Sequence, residues 1–183
     1  MLKFPENEPL TKESDEEIIA DILGGASGRF RDLVMRYQEQ ILRMFLRQTG
    51  SSSIARDLTQ ETFVAAYKGL HRFRGDSQFS TWLTRIALNT GKNFFRSRQY
   101  RELAGTTPLK EDIPAAGNDD LEYMLAMLRR FIPKLPAKLR EVLVLMSLES
   151  RTYEQAAEVL DIPIGTVRSR ISAARANLRG MFQ

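Results

Sequence analysis

Apolar residues in this chain recur at three- and four-residue steps almost from end to end, with no strand-like alternation. That period puts side chains on one face of a helix, whereas alternation would line one face of a strand. The clearest stripe is Phe30, Leu33, Val34, Tyr37, Ile41, Met44 and Phe45, which predicts a helix from about Ser27 to Gln48. Ahead of it, Ser14-Asp15-Glu16-Glu17 has the form of a capping box, and the short apolar run that follows is stopped by Gly24-Gly25. A third helix is predicted from Ile54 to about Leu70, with Ile54, Leu58, Phe63, Ala66, Tyr67 and Leu70 inward. A fourth, capped by Ser80, runs to roughly Arg98, with Leu83, Ile86, Ala87, Thr90 and Phe94 as its inner stripe.

Periodicity lapses over residues 102–118, where Gly, Pro, Thr and Asp collect, so this stretch reads as a linker. Extended, it spans up to about 56–61 Å. Helical pattern resumes at Leu121. Pro136 is suited to the first turn of the next helix, and Thr152-Tyr153-Glu154-Gln155 is a second capping box. The short helix Tyr153–Leu160 ends at Asp161-Ile162-Pro163. A final helix carries Val167, Ile171, Ala174 and Leu178 inward. The expected fold is all-α, in two small helical domains over residues 1–101 and 119–183.

Composition narrows the chemistry. Among 183 residues there is no cysteine and one histidine, His71, which removes disulfides, thiol nucleophiles and His-rich zinc sites. A hydrolase or transferase is disfavoured, so the expectation is a protein that is not an enzyme, with no cofactor, metal or small-molecule substrate. His71, between Leu70 and Arg72, reads as a surface or phosphate-side residue rather than a titrating switch. No apolar run is long enough to span a membrane, and the N-terminus has no signal core, which predicts a cytoplasmic chain.

The formal net charge is +4, unevenly spread. Residues 1–30 hold three bases against seven acids, whereas residues 68–101 hold eight bases against Asp76 alone. Such a concentration fits either a polyanion partner or a solvated basic face. Asp57, Gln60 and Glu61, at i, i+3 and i+4, form one polar patch on the outer side of the third helix.

Two constellations point to nucleic acid. Between Phe73 and Arg98, aromatics interleave with bases and small turn residues, a pattern in which rings stack on bases and cations hold phosphates. Phe79, Trp82 and Phe95 suit that role and core packing about equally, while Phe94 lies on the inner stripe. Arg85, Asn89, Lys92 and Arg96 form a separate polar and basic stripe. At the C-terminus, a short helix, a tight turn with Pro163 and Gly165, and a helix rich in Arg and Ser form a helix–turn–helix. Thr166, Arg168, Ser169, Arg170, Ser172 and Arg175 lie off its buried stripe, where Arg can pair with guanine and Ser or Thr with bases or phosphates.

The pairing of DLTQETFVAAYKGLHRFRGDSQFSTWLTRIALNT with YEQAAEVLDIPIGTVRSRISAARANL resembles the extracytoplasmic-function (ECF) sigma factors of bacterial RNA polymerase, from about Asp15 to Leu178. The resemblance implies a four-helix sigma-2 domain and a sigma-4 helix–turn–helix domain joined by a flexible linker. It implies binding to core polymerase through the β′ clamp helices and the β flap, with Asp57, Gln60 and Glu61 meeting the clamp helices. Promoter −10 recognition and melting fall to Phe73, Arg74, Gly75, Asp76, Ser77, Phe79, Trp82, Arg85, Asn89, Lys92 and Arg96. The −35 element falls to Thr166, Arg168, Ser169, Arg170, Ser172 and Arg175. An anti-sigma factor is a further implied partner. The chain departs from many relatives at Ser172 and Ala173, where an aromatic or basic residue is usual. The alternative from another class is a conventional helix–turn–helix repressor or activator that binds operator DNA without polymerase, disfavoured by the lack of a dimerisation heptad or ligand-domain pattern.

Overall fold

The computed structural model describes residues 13–97, 131–148 and 151–181, and among them there is no strand. The linker expected at 102–118, and nearly all of the helix expected from Leu121, lie outside the described residues. Four helices make the first unit: α1 (Asp15–Leu23), α2 (Phe30–Thr49), α3 (Ser52–Gly69) and α4 (Phe79–Arg96). Among the described residues three make the second: α5 (Ala137–Leu143), α6 (Tyr153–Leu160) and α7 (Ile164–Met181).

Helix ends follow the local chemistry. Ser14 and Glu17 form the expected reciprocal capping box, which satisfies two otherwise orphaned amides at the start of α1. Thr152 and Gln155 do the same for α6. Gly50 ends α2 at φ 67°, in the left-handed region that glycine enters without a Cβ penalty. Ser51 caps α3 through its hydroxyl, so that helix starts at Ser52, two residues before the apolar pattern suggests. Two other ends differ from expectation. Gln78, not Ser80, occupies the N-cap of α4, and Pro136 is the N-cap of α5 rather than its first helical residue. The apolar run after α5 also loosens into a π-helical segment, Val144–Leu148, with Val144 and Leu145 fully buried.

The first core forms where α2, α3 and α4 lay their apolar stripes together. Leu33, Phe45, Ala55, Ala66, Leu83 and Ala87 are completely buried there. Gly91 of α4 packs against side chains of α2: a Cβ there would lie 3.3 Å from Phe45 Cε1 and 3.4 Å from Gln48 Oε1. Charged groups tie α1 across this core. Asp15 accepts from both Arg36 and the Tyr37 hydroxyl, while Arg29 pairs with Glu13, Asp21 and Asp32. Burial, with Asp15 alongside, pushes the Tyr37 hydroxyl well above its ordinary value, so it stays a donor. In the second unit, α7 turns Val167, Ile171, Ala174 and Leu178 inward against α5 and α6, as the three- and four-residue steps require.

Removing the largest fully buried side chain of the first core tests this packing. Phe45→Ala is expected to destabilise the protein by about 3–5 kcal/mol, from lost transfer free energy plus an unfilled cavity. Urea unfolding followed by circular dichroism measures it; a loss below about 1 kcal/mol would remove Phe45 from the core.

Candidate nucleic-acid interface

The loop from Phe73 to Gln78 leaves the end of α3 through a single 3-10 turn, Leu70–Arg72, and enters α4 at Phe79. Aromatic rings fix both of its ends. Phe73 lies edge-on to Phe79 at 5.8 Å between centroids and packs on Trp82 at 5.3 Å, while Phe79 meets Tyr37 at 5.6 Å. Phe79 is only 1% exposed. It is therefore a core residue and offers no face for a base to stack on, a correction to its expected place among the DNA contacts. Phe73 and Trp82 are half-buried, each with one side against this cluster. Arg74, Gly75 and Asp76 stand exposed between the anchors, Ser77 is half-buried, and Gly75 turns the chain at φ 76°. The exposed His71 accepts from Arg72 Nε at 3.3 Å.

On α4 the expected inner stripe shifts by one residue at its end. Phe95, 9% exposed, is more deeply buried than Phe94, and the guanidinium of Arg140 from α5 sits 3.6 Å above its ring. Asn89, Lys92 and Arg96 are exposed. Arg85 is half-buried and its head group is engaged elsewhere. It donates from Nε to the Val159 carbonyl at 3.2 Å and from a terminal nitrogen to the Glu158 carbonyl at 2.6 Å. Sequence reasoning had no access to this contact: the acceptors are main-chain groups more than 70 positions away. Glu141 lies at the same junction. Burial pushes its carboxyl above the usual value, while Lys92, Arg140 and Arg170 pull it back down.

Asp57, Gln60 and Glu61 are all exposed and line one shallow cleft on α3 with Val64 and Lys68. Beside it lies an apolar groove of about 1000 Å³ between α2 and α3, floored by Phe30, Val34, Leu42 and Phe63. Tyr67, expected inward, is 48% exposed at the groove edge, its ring 5.0 Å from that of Phe30. The three- and four-residue steps could not separate a groove from a core, since both put apolar residues on one face.

Asp161 ends α6 at φ 51°, and the Pro163 carbonyl then accepts from Thr166 and Val167 to open α7. The resulting helix–turn–helix leaves Arg168, Ser169, Ser172 and Arg175 exposed, with Thr166 and Arg170 half-buried. Arg168 lies 5.5 Å from the ring of Tyr153, so its stem is steered across the start of α6, and Ser169 donates to the Thr166 carbonyl at 3.0 Å. Ser172 and Ala173 are also exposed, which makes the departure at those two positions a change of surface rather than of core. Among the described residues no helix is long and apolar enough to cross a membrane, and no group of His, Cys, Asp and Glu is placed to hold a metal.

Comparison with known proteins agrees with this layout. Residues 33–101 match Sigma-70 region 2, and residues 125–178 match Sigma-70, region 4. The chain is 37% identical to an RNA polymerase sigma-H factor of Pseudomonas aeruginosa, over 91% of this chain and 92% of that protein. It is 35% identical to the ECF RNA polymerase sigma-E factor of Haemophilus influenzae, over 93% and 96% respectively. Among solved structures it resembles CnrH, in complex with the cytosolic domain of CnrY, at a TM-score of 0.65 and 28% identity, over 93% of this chain and 97% of that one. The fold of the sigma factor RpoE of Bartonella quintana, solved with the anti-sigma factor NepR, is also similar, at a TM-score of 0.59 and 23% identity, covering 84% and 96%. A conventional repressor or activator is not favoured by these matches, because both promoter-directing regions occur in one chain and in the same order. The chain belongs to the ECF family of RNA polymerase sigma factors, which direct transcription initiation at promoters.

Proposed function

We propose that residues 1–101 form a unit that binds core RNA polymerase and captures the −10 element, and that residues 119–183 form a −35 reader tethered to it by the segment 102–118. The observation that carries the reading is the division of exposed groups between three surfaces. Asp57, Gln60 and Glu61 occupy one side of α3, the loop of Arg74–Ser77 with the α4 stripe another, and the Arg- and Ser-rich side of α7 a third. The acidic and amide groups of the first surface suit a cationic, helical face of the polymerase β′ clamp, and the apolar groove beside it extends that docking face. The chain performs no bond chemistry of its own in this reading. Its partners are core polymerase, promoter DNA and an anti-sigma factor, and its place of action is the cytoplasm, where that polymerase works.

Strand capture requires a base to leave the stack, which costs a few kcal/mol and is offset by stacking and polar contacts in a pocket. Phe79 supports that pocket from the core, while Phe73 and Trp82 present their free edges beside Asp76, Ser77 and Asn89. Lys92 and Arg96, with Arg85 when released, hold the phosphates. On the other unit, Arg168 reaches duplex bases in the major groove, with Thr166, Ser169, Arg170, Ser172 and Arg175 flanking it. Short Ser172 and the methyl of Ala173 leave only small contacts at two positions of that groove. Run-off transcription with core polymerase, followed by mapping of the start sites, tests the whole assignment; no promoter-directed transcript would overturn it.

Three substitutions separate the surfaces. Changing Asp57, Gln60 and Glu61 together to alanine is expected to leave stability within about ±0.5 kcal/mol, as is usual for exposed positions, and to abolish co-elution with core polymerase. Unfolding, or unchanged core affinity, sinks that assignment. Arg168→Ala should weaken −35-dependent transcription by about 1–3 kcal/mol in free-energy terms, with relaxed preference at a single base and intact core binding. An unaltered promoter set and base preference would show that Arg168 reads nothing. Replacing loop residues 74–78 by glycine and serine should leave −35 binding by the holoenzyme intact but impair opening of the −10 region, read by permanganate footprinting on duplex and pre-melted promoters. Wild-type opening by that variant refutes the loop as the capture site.

A further inference from the structure

Among the described residues, none of Arg74, Gly75, Asp76 and Ser77 makes a hydrogen bond within the protein, so this loop is shaped by what holds its ends. Those ends are aromatic. Phe73 and Trp82 each meet Phe79, at 5.8 and 5.6 Å between centroids, and Phe79 in turn rests on Tyr37 of α2 at 5.6 Å. A ring packed this closely cannot shift without its neighbours. Tyr37 is the member of the cluster that carries a hydrogen-bonding group. Its hydroxyl donates to Asp15 Oδ2, on the first residue of α1, while Arg36 donates to the other oxygen of the same carboxylate. Arg36 also donates to the Glu13 carbonyl at 2.8 Å, just ahead of that helix. Asp15 is firmly placed. Ser14 caps the helix start, Ile18, Ile19 and Ile22 seat it in the core, and the Asp15 side chain is only 14% exposed. Helix α1 also lies against the turn Leu70–Arg72 from which the loop departs.

We propose that Asp15 and Tyr37 are positioning residues for promoter opening. Helix α1 fixes the Tyr37 ring through its hydroxyl, that ring fixes Phe79, and Phe79 sets Phe73 and Trp82, the two rings beside the capture loop. This role rests on the −10 reading above and extends the site to a helix that touches no part of the promoter in it. A phenylalanine at position 37 would fill the same ring site, so the hydroxyl and the carboxylate it meets add direction rather than volume. Apolar contact leaves a ring free to slide and turn, whereas a hydrogen bond to a fixed acceptor holds its far end to one place. Taking a hydroxyl and a carboxylate out of water is also unfavourable unless they are bonded, so the pair favours one arrangement of α1 and α2 over its neighbours. Capture of a base gains from this, because a loop that is already in the binding arrangement loses no affinity to the arrangements that cannot bind.

Trp82 is the single tryptophan of the chain, so its fluorescence reports the loop anchor directly in the full-length protein. Tyr37→Phe, which keeps the ring, and Asp15→Ala, which removes the acceptor, should each raise acrylamide quenching of Trp82. In holoenzyme, each should lower the fraction of promoters open at −10 by about three- to tenfold, the equilibrium worth of one hydrogen bond, as read by permanganate footprinting. Helical circular dichroism, co-elution with core polymerase and −35 binding should stay as in the unaltered chain. Because both residues act through one bond, the double variant should open promoters no worse than Asp15→Ala alone. Should Asp15→Ala loosen α1 itself, Tyr37→Phe, which leaves Asp15 paired with Arg36, decides the matter by its own quenching and opening. Folded variants with unchanged quenching and unchanged opening overturn the proposal, as does a double variant whose losses simply add. The two readings fail differently. If replacement of loop 74–78 impairs opening and Tyr37→Phe does not, the link to α1 falls and the −10 reading stands. If the loop replacement opens promoters normally, the −10 reading falls and takes the proposal with it.

Discussion

Helix α4 is bound on two sides, and its apolar face sits closely on side chains of α2 at Gly91. A side chain there would press on Phe45 and Gln48 at 3.3–3.4 Å, so only a residue without a Cβ lets α2 and α4 come together at that point without displacement. Once they do, Leu83 and Ala87 are sealed against the α2–α3 core, and Asn89, Lys92 and Arg96 are turned out to solvent by the helical period. The charged stripe is thus a consequence of apolar packing on the opposite face. The loop ahead of α4 inherits the same constraint, since Phe79 and Trp82, on the first turn of α4, hold Phe73 and so the loop's other end.

Aromatic residues in this loop illustrate a division of labour that composition alone conceals. Interleaved rings and cations suit strand binding, and here one ring of the set, Phe79, is withdrawn entirely into the core to position the others. A ring that supports and a ring that stacks are chemically the same residue; only their depth differs. The same holds for Phe94 and Phe95. Phe95 is the more buried of the two and carries Arg140, a residue from the second unit, over its ring, a contact that neither periodicity nor hydrophobicity of α4 could anticipate.

A sigma factor must keep DNA-binding groups available for promoters but under control away from polymerase. Surface charge alone does not do this, because exposed lysines and arginines attract any nucleic acid. Bonding to the carbonyl end of α6 takes Arg85 out of the free charge of the α4 stripe.

Much of this protein was legible in one dimension. Helices α1 to α4, α6 and α7, both capping boxes, the exposed patch of Asp57, Gln60 and Glu61, and the inward stripe of Val167, Ile171, Ala174 and Leu178 all follow from the helical period and local capping chemistry, which act over a few residues. Where two readings shared one period, tertiary contacts decided. The apolar side of α3 divides into core at Ala66, fully buried, and open groove at Tyr67, 48% exposed beside Phe30. Phe79 went inward because Tyr37, Phe73 and Trp82 surround it. Arg85 met carbonyls more than 70 positions away, through backbone groups that every residue carries and that therefore leave no mark in a sequence. Period and caps determine which residues share a face; only the packing of one unit on another determines what that face meets.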